Sequence, residues 1–264
     1  MLSEYFLILL WRYSVSNWKN YEELRPDELE TILSEAPVAY WPLGLLEHHG
    51  WHLPVGFDGI KARRTCERIA ARTGGLILPT MWWGGGGGHD VFKWSHYQDP
   101  EAITSMLDTT ARQLLDFGVR ALVLMAGHYP WQSFLDKVAP ALRTDYADTL
   151  ILAGSEISIC GDAFTLRGDH AAKEETSFGL ALFPEFVDLS ALQLGHHDDV
   201  WPPSGAPAQD KRHPQVNFDP AHPLFAQMGE DSREATAAHG EEGLGLVVDH
   251  LGTTIEQFLK TATP

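Results

Sequence analysis

Val38-Ala39-Tyr40-Trp41-Pro42-Leu43-Gly44-Leu45-Leu46 runs without a turn signal into Glu47-His48-His49-Gly50-Trp51-His52-Leu53-Pro54, and Asp58 follows. The apolar run has the length and continuity of a strand buried on both faces, as strands of a parallel sheet are. The polar segment therefore stands at the strand's C-terminal end. Open parallel sheets place their sites in loops beyond that end, so this stretch reads as a strand delivering a site.

Working outward, the same alternation repeats. Upstream, Pro26-Asp27-Glu28-Leu29-Glu30 opens a helix with proline and acids in its first turn, ending near Ala36-Pro37. Downstream, Ile60 to Arg72 reads as a helix stopped at Gly74-Gly75, and Leu76-Ile77-Leu78-Pro79 as a strand leading into the Gly84 to Gly88 run. Pro100 to Phe117 is predicted helical, Val119 to Met125 a strand ending at Ala126-Gly127-His128, Trp131 to Tyr146 a helix and Thr149 to Leu152 a strand. Gly168-Asp169-His170 precedes a helix carrying Glu174-Glu175-Thr176-Ser177, and Gly195 to His222 is a Pro-, His- and Asp-rich excursion. Ser232 to Leu259 is predicted helical with interruptions at Gly240 and Gly243. The expected fold is α/β, a mostly parallel central sheet with helices on both faces in a three-layer sandwich. Residues 18–264 are expected to form one domain, preceded by a 1–17 extension.

Composition narrows the function classes. With 36 acidic against 19 basic side chains, the formal charge of −17 opposes a phosphate backbone, and nucleic acid is excluded as a partner. No apolar run is long enough to span a bilayer, and Phe6 to Trp11 is too short for a signal-peptide core, so the expected location is cytoplasmic. Cys66 and Cys160 cannot build a disulfide framework and read as reduced core residues.

Three acid/histidine clusters remain, all at predicted strand ends. Glu47 and His49 are two residues apart, so in extended backbone their side chains emerge on one side, and Asp58 returns after a short loop. Such carboxylate and imidazole donors suit Zn²⁺, Mn²⁺ or Fe²⁺. Spacing alone fits a polar surface loop equally well. Gly127-His128 lets the backbone turn while the histidine enters the crevice, although a lone histidine there is more often structural. Of Asp169, His170, Glu174 and Glu175, one or two can face the crevice while the others cap the helix. The glycine run lacks a following Lys-Ser or Lys-Thr and is no nucleotide loop. Trp82, Trp83, Trp94 and Trp131 are candidates for an aromatic wall around a flat substrate, with core packing the default.

Taken together, these segments resemble the creatininase (creatinine amidohydrolase) family. The resemblance rests on Pro42-Leu43-Gly44, Glu47-His48-His49-Gly50 with His52-Leu53-Pro54 and Asp58, Gly127-His128, His170-Ala171-Ala172 with Glu175-Thr176-Ser177, and Gly229-Glu230-Asp231 with Ala235-Thr236. It spans Trp18 to Gly240. It implies a divalent-metal amidohydrolase that cleaves a C–N bond in a small cyclic amide, formamide or related molecule, and a homo-oligomer, hexameric in the family. Two divalent ions per chain, zinc and/or manganese with iron as a further candidate, would share a hydroxide that attacks the carbonyl. By position, Glu47 and His128 would hold one ion, His49 and Glu175 the other, and Asp58 would bridge. Glu175 and His170 would be catalytic, His170 as proton donor, with Tyr129, His89 and Trp131 against the substrate. Pro130 departs from the family, because creatininase carries a glutamate ligand there. His48 replaces a glutamine, Trp51 a proline, and the glycine run a Gly-x-Ser segment. A non-catalytic ligand- or metal-binding member of the fold is the alternative.

Overall fold

Five strands, β1 (Trp18–Asn20), β2 (Val38–Leu43), β3 (Gly75–Ile77), β4 (Ala121–Ala126) and β5 (Leu150–Ser155), form one sheet in the order β1-β3-β2-β4-β5. Every pairing is parallel. The helices are α1 (Pro26–Glu35), α2 (Phe57–Thr73), α3 (Pro100–Asp116), α4 (Gln132–Asp145), α5 (Lys173–Leu182) and α6 (Ala237–Thr261). The computed structural model describes residues 18–161, 167–192 and 199–261, so the 1–17 extension and the start of the Gly195 excursion lie outside the described residues.

Strand periodicity divides the core. Along β4, Leu122, Leu124 and Ala126 pack with Leu107, Ala111 and Leu114 of α3 and Phe134 and Leu135 of α4. The alternate residues Ala121, Val123 and Met125 face the opposite way, against Ala62, Cys66 and Ile69 of α2, Phe178 of α5 and Leu244, Val247 and Leu251 of α6. Consecutive strand side chains point to opposite faces, so each strand feeds two helical layers. Burying such Val and Leu side chains contributes roughly 1.5–3 kcal/mol apiece. The α/β three-layer architecture agrees with the expectation, and no described helix is long and apolar enough to cross a membrane.

Register then sets the site. Val38 pairs with Ala121 and Leu43 with Ala126, so the two central strands end at one level. Beyond that level each continues as a glycine on which α2 rests. A Cβ on Gly44 would lie 2.4 Å from Gly59 Cα, and one on Gly127 would lie 1.9 Å from the Asp58 carbonyl oxygen. Only glycine permits this backbone approach, which seats the first turn of α2 over the strand ends. That helix begins at Phe57, three residues before the predicted start, so Asp58 occupies a helical turn rather than a loop.

The C-terminal helix corrects another expectation. α6 runs through Gly240 and Gly243 without a break. A Cβ on Gly240 would stand 2.0 Å from the Ser177 carbonyl oxygen, so this glycine admits α5 at backbone distance and is no stop signal. The described part of the long excursion is irregular, as read from its composition. Its Val200 and Val216 pack with Phe92, and with Phe225 just beyond it, into a satellite core.

Candidate metal centre

Four separate elements converge at the sheet's C-terminal edge. Glu47 and His49 follow β2, Asp58 lies in α2, His128 follows β4, and Glu175 lies in the first turn of α5 behind His170. Glu47, His49, Asp58, His128, His170 and Glu175 are all buried. Buried charges are costly unless paired or ligated, so their partners define what the site can do.

Each imidazole is pinned on one nitrogen by a backbone carbonyl. His49 Nδ1 lies 3.0 Å from Glu47 O, His128 Nε2 3.0 Å from Gly86 O, and His170 Nε2 2.9 Å from His48 O. Donation to those carbonyls leaves the other nitrogen of each ring to face inward, which is how metal-binding imidazoles are oriented. His49 Nε2 reaches Asp58 Oδ1 at 3.2 Å and Glu175 Oε2 at 3.7 Å. His128 Nδ1 reaches Glu47 Oε2 at 3.1 Å and Asp58 Oδ2 at 3.4 Å. Asp58 thus turns one carboxylate oxygen towards each histidine. His170 Nδ1 is 3.8 Å from Glu47 Oε2.

Charge follows from these distances. Burial alone would raise Asp58 and Glu47, but His49 and His128 more than offset it, holding Asp58 well below and Glu47 below the ordinary carboxylate values. Burial likewise opposes the His49 cation, yet Asp58, Glu175 and Glu47 push that imidazole up to about 9. The carboxylates therefore demand positive charge in their midst. His170 is driven the other way, well below the usual imidazole value, by burial and the neighbouring His49 charge, and so is neutral. His89 is pushed down to about 3 by burial and by His170, whose ring stacks on it at 3.8 Å.

Divalent metal fits this donor set. Glu47/Asp58/His128, His49/His170/Glu175 and Glu47/His89/His170 each bring three donor atoms within 4.8 Å of one another. Glu47 Oε2 and Asp58 Oδ2 are buried without a hydrogen-bond partner, oxygens that a cation would satisfy. Against the donors lies a cavity of about 320 Å³, walled by Gly87, Gly88, Tyr129, Pro130, His213 and Met228.

All five metal-ligand candidates read from the sequence meet here, with His170, His89 and Tyr129 on the cavity wall. Trp131 does not. It is fully buried, its indole N–H donates to Gly44 O at 3.0 Å and its ring packs on Phe134, so it is a core residue and not a substrate contact. Trp83 and Trp94 are exposed, and none of the four tryptophans lines the cavity. Asp169 caps α5 by accepting the Glu174 and Glu175 N–H groups, while Glu174 accepts from Gly168 N. Sequence reading missed Tyr97, whose hydroxyl donates to Glu47 Oε1, and His213, which the excursion brings to the cavity.

A parallel α/β sheet whose C-terminal edge gathers three buried carboxylates and carbonyl-pinned histidines defines a protein with a candidate divalent-metal centre. The family model for creatininase, described as creatinine amidohydrolase, matches residues 22–255, and the chain belongs to that family. Creatinine amidohydrolase of Pseudomonas putida is 30% identical over 207 residues, covering 70% of this chain and 76% of the relative. The 3-dehydro-scyllo-inosose hydrolase of Thermotoga maritima is 24% identical over 179 residues, covering 63% and 57%. A creatininase crystal structure superposes with a TM-score of 0.69 at 28% identity, covering 90% of this chain and 96% of that one. Creatininase structures described as a manganese form and as a Zn-Zn type of a mutant each superpose at a TM-score of 0.68 and 27% identity.

Proposed function

We propose that this protein is a divalent-metal amidohydrolase that cleaves a C–N bond in a small cyclic amide, formamide or related substrate. The observation that carries the reading is the division of Asp58, one oxygen towards His49 and the other towards His128, at the centre of a pinned donor set. Glu47 and His128 would hold one ion, His49 and Glu175 the other, and Asp58 would bridge them. Zinc or manganese suits these donors. Such ions lower the pKa of water and polarise a carbonyl.

The chain's own groups supply the rest. His170 is neutral, with its Nε2 proton committed to the His48 carbonyl, so its inward Nδ1 would take the proton released by the attacking water and hand it to the leaving nitrogen as the C–N bond breaks. General acid–base transfer of this kind contributes about 10²–10⁴-fold. Tyr129 and His89 wall the cavity beside it. Among the described residues no lysine or arginine lines the cavity, which favours an uncharged substrate over an anionic one. Pro130, on the same wall, cannot provide the glutamate that creatininase carries at that position, so we do not assign creatinine as the substrate.

Metal analysis of the purified protein, and an amide panel run on wild type and Asp58→Asn, test the reading. Stoichiometric zinc, manganese or iron is expected in the wild type, with both metal and turnover falling on the order of 10³-fold in the variant. Metal content and turnover that ignore the substitution refute it. Pro130 also motivates a non-catalytic reading, which full metal occupancy without turnover of any amide would favour.

A further inference from the structure

Lys61 is a cation placed where the fold tolerates one least. It lies on α2 one turn beyond Asp58, and its side chain is 2% exposed. An isolated buried ammonium is costly, so its surroundings must supply both charge and hydrogen bonds. Nζ donates to Glu156 Oε1 at 2.8 Å and to Glu175 Oε1 at 3.0 Å, and sits 4.5 Å from the centroid of the Tyr129 ring. The Tyr129 hydroxyl donates to the same Glu156 oxygen at 2.9 Å. Glu156, the residue after β5, is itself buried.

Neither Lys61 nor Glu156 lines the cavity, so neither reaches substrate directly. Their route to the centre is Glu175. With Oε1 held by Lys61, that carboxylate presents Oε2, which accepts the Ala171 N–H at 2.9 Å and faces His49 Nε2 at 3.7 Å. Among the described acids, Asp58 and Glu175 are the ones within 4 Å of His49 Nε2, at 3.2 and 3.7 Å, and Asp58 is shared with His128, so Glu175 is the acid that serves this half alone. We propose that Lys61 and Glu156 are a buried positioning pair that fixes Glu175 with a single oxygen directed at the His49 half of the metal centre. The proposal rests on the reading of Glu175 as a metal ligand. Because the pair is electrically neutral as a unit, its contribution is orientation, and removing both charges together isolates that contribution.

The test is a zinc titration of metal-free protein by chelator competition, comparing wild type with the double variant Lys61→Met/Glu156→Gln. The weaker of the two zinc-binding events should lose about 10–100-fold in affinity, as outer-shell removals do, while the tighter event stays within about twofold. Glu156→Gln alone is nearly isosteric and keeps an acceptor for Tyr129. It leaves Glu175 as the only carboxylate hydrogen-bonded to the ammonium and should weaken the same event, so a double variant that fails to fold does not shelter the idea. Unchanged affinity of the weaker event in a folded variant overturns the pair's role, as does equal weakening of both events. Wild-type protein that takes up fewer than two zinc ions overturns the reading of the centre itself, and this inference with it.

Discussion

Glu47 and Glu175 are the same residue type, both buried, on either side of Asp58, yet their proton equilibria are displaced in opposite directions. Burial raises each. At Glu47 the His128 imidazole, 3.1 Å from Oε2, overcomes it and the carboxyl ends below its ordinary value. At Glu175 the Lys61 ammonium and the His49 imidazole lower it without overcoming burial, and the net direction is upward. The nearest imidazole is at 3.7 Å there, and Asp58 adds repulsion. One half of the centre is thus a compact ion pair held by a neutral phenol, the other a looser one held by a buried salt bridge. Burial is common to both, so imidazole distance and the nature of the second donor decide the difference.

The comparison is broken most directly by removing each acid in turn. Glu47→Gln should cost turnover on the order of 10³-fold and release the more tightly held ion, because it empties the compact half. Glu175→Gln should cost about 10²-fold and leave that ion in place, since the second half already shares its carboxylate with Lys61. Turnover and metal content measured together separate the two outcomes. Equal losses, or the reverse order, would show that the halves are equivalent.

Acid–base linkage gives a smaller effect. In metal-free protein His49 is raised to about 9 and His128 well above its ordinary value, burial opposing and the neighbouring carboxylates raising both. A group raised in the folded state contributes stability that is fully present below its unfolded pKa, near 6.5, and is lost as pH rises through the folded value. The melting temperature of chelator-treated protein should therefore fall by several degrees between pH 6.5 and pH 9. Metal-loaded protein, whose imidazoles bind as neutral ligands, should lose less over the same window. Calorimetry at both pH values checks this, and identical slopes would mean that the carboxylates do not draw on histidine charge.

How much of this was legible beforehand depended on range. β2 and β4 read directly from their apolar runs, and the topology that follows from strand-helix alternation placed the clusters at one edge. Asp58 was legible as a site residue but not as a helical one, because Gly56 precedes Phe57 and no side chain caps the turn. Gly240 and Gly243 read as breaks because the sequence shows only missing side chains, and at Gly240 not the α5 backbone that fills the place. Trp131 was ambiguous for a similar reason, since its indole needs one acceptor and only the fold reveals that Gly44 is it. Lys61 was invisible as part of the site. A lysine on a helix reads as solvent-facing, and its partners stand 95 and 114 residues away.

Tyr97 carries the smallest predicted effect and the sharpest form of the comparison. Its hydroxyl donates to Glu47 Oε1 and accepts the His89 N–H at 3.2 Å, and burial with the Glu47 charge holds the phenol well above its ordinary pKa, so it acts as a neutral donor. It is to Glu47 what Lys61 is to Glu175, one oxygen held and the other left to the centre. Tyr97→Phe removes the donor and almost nothing else, and should weaken the tighter zinc event by about 10-fold, the low end of outer-shell effects. The weaker event should not move. A loss confined to the weaker event would mean that Tyr97 serves the other half. No loss at all would mean that a neutral donor is dispensable and that only the charged pair behind Glu175 needs to hold its carboxylate in place.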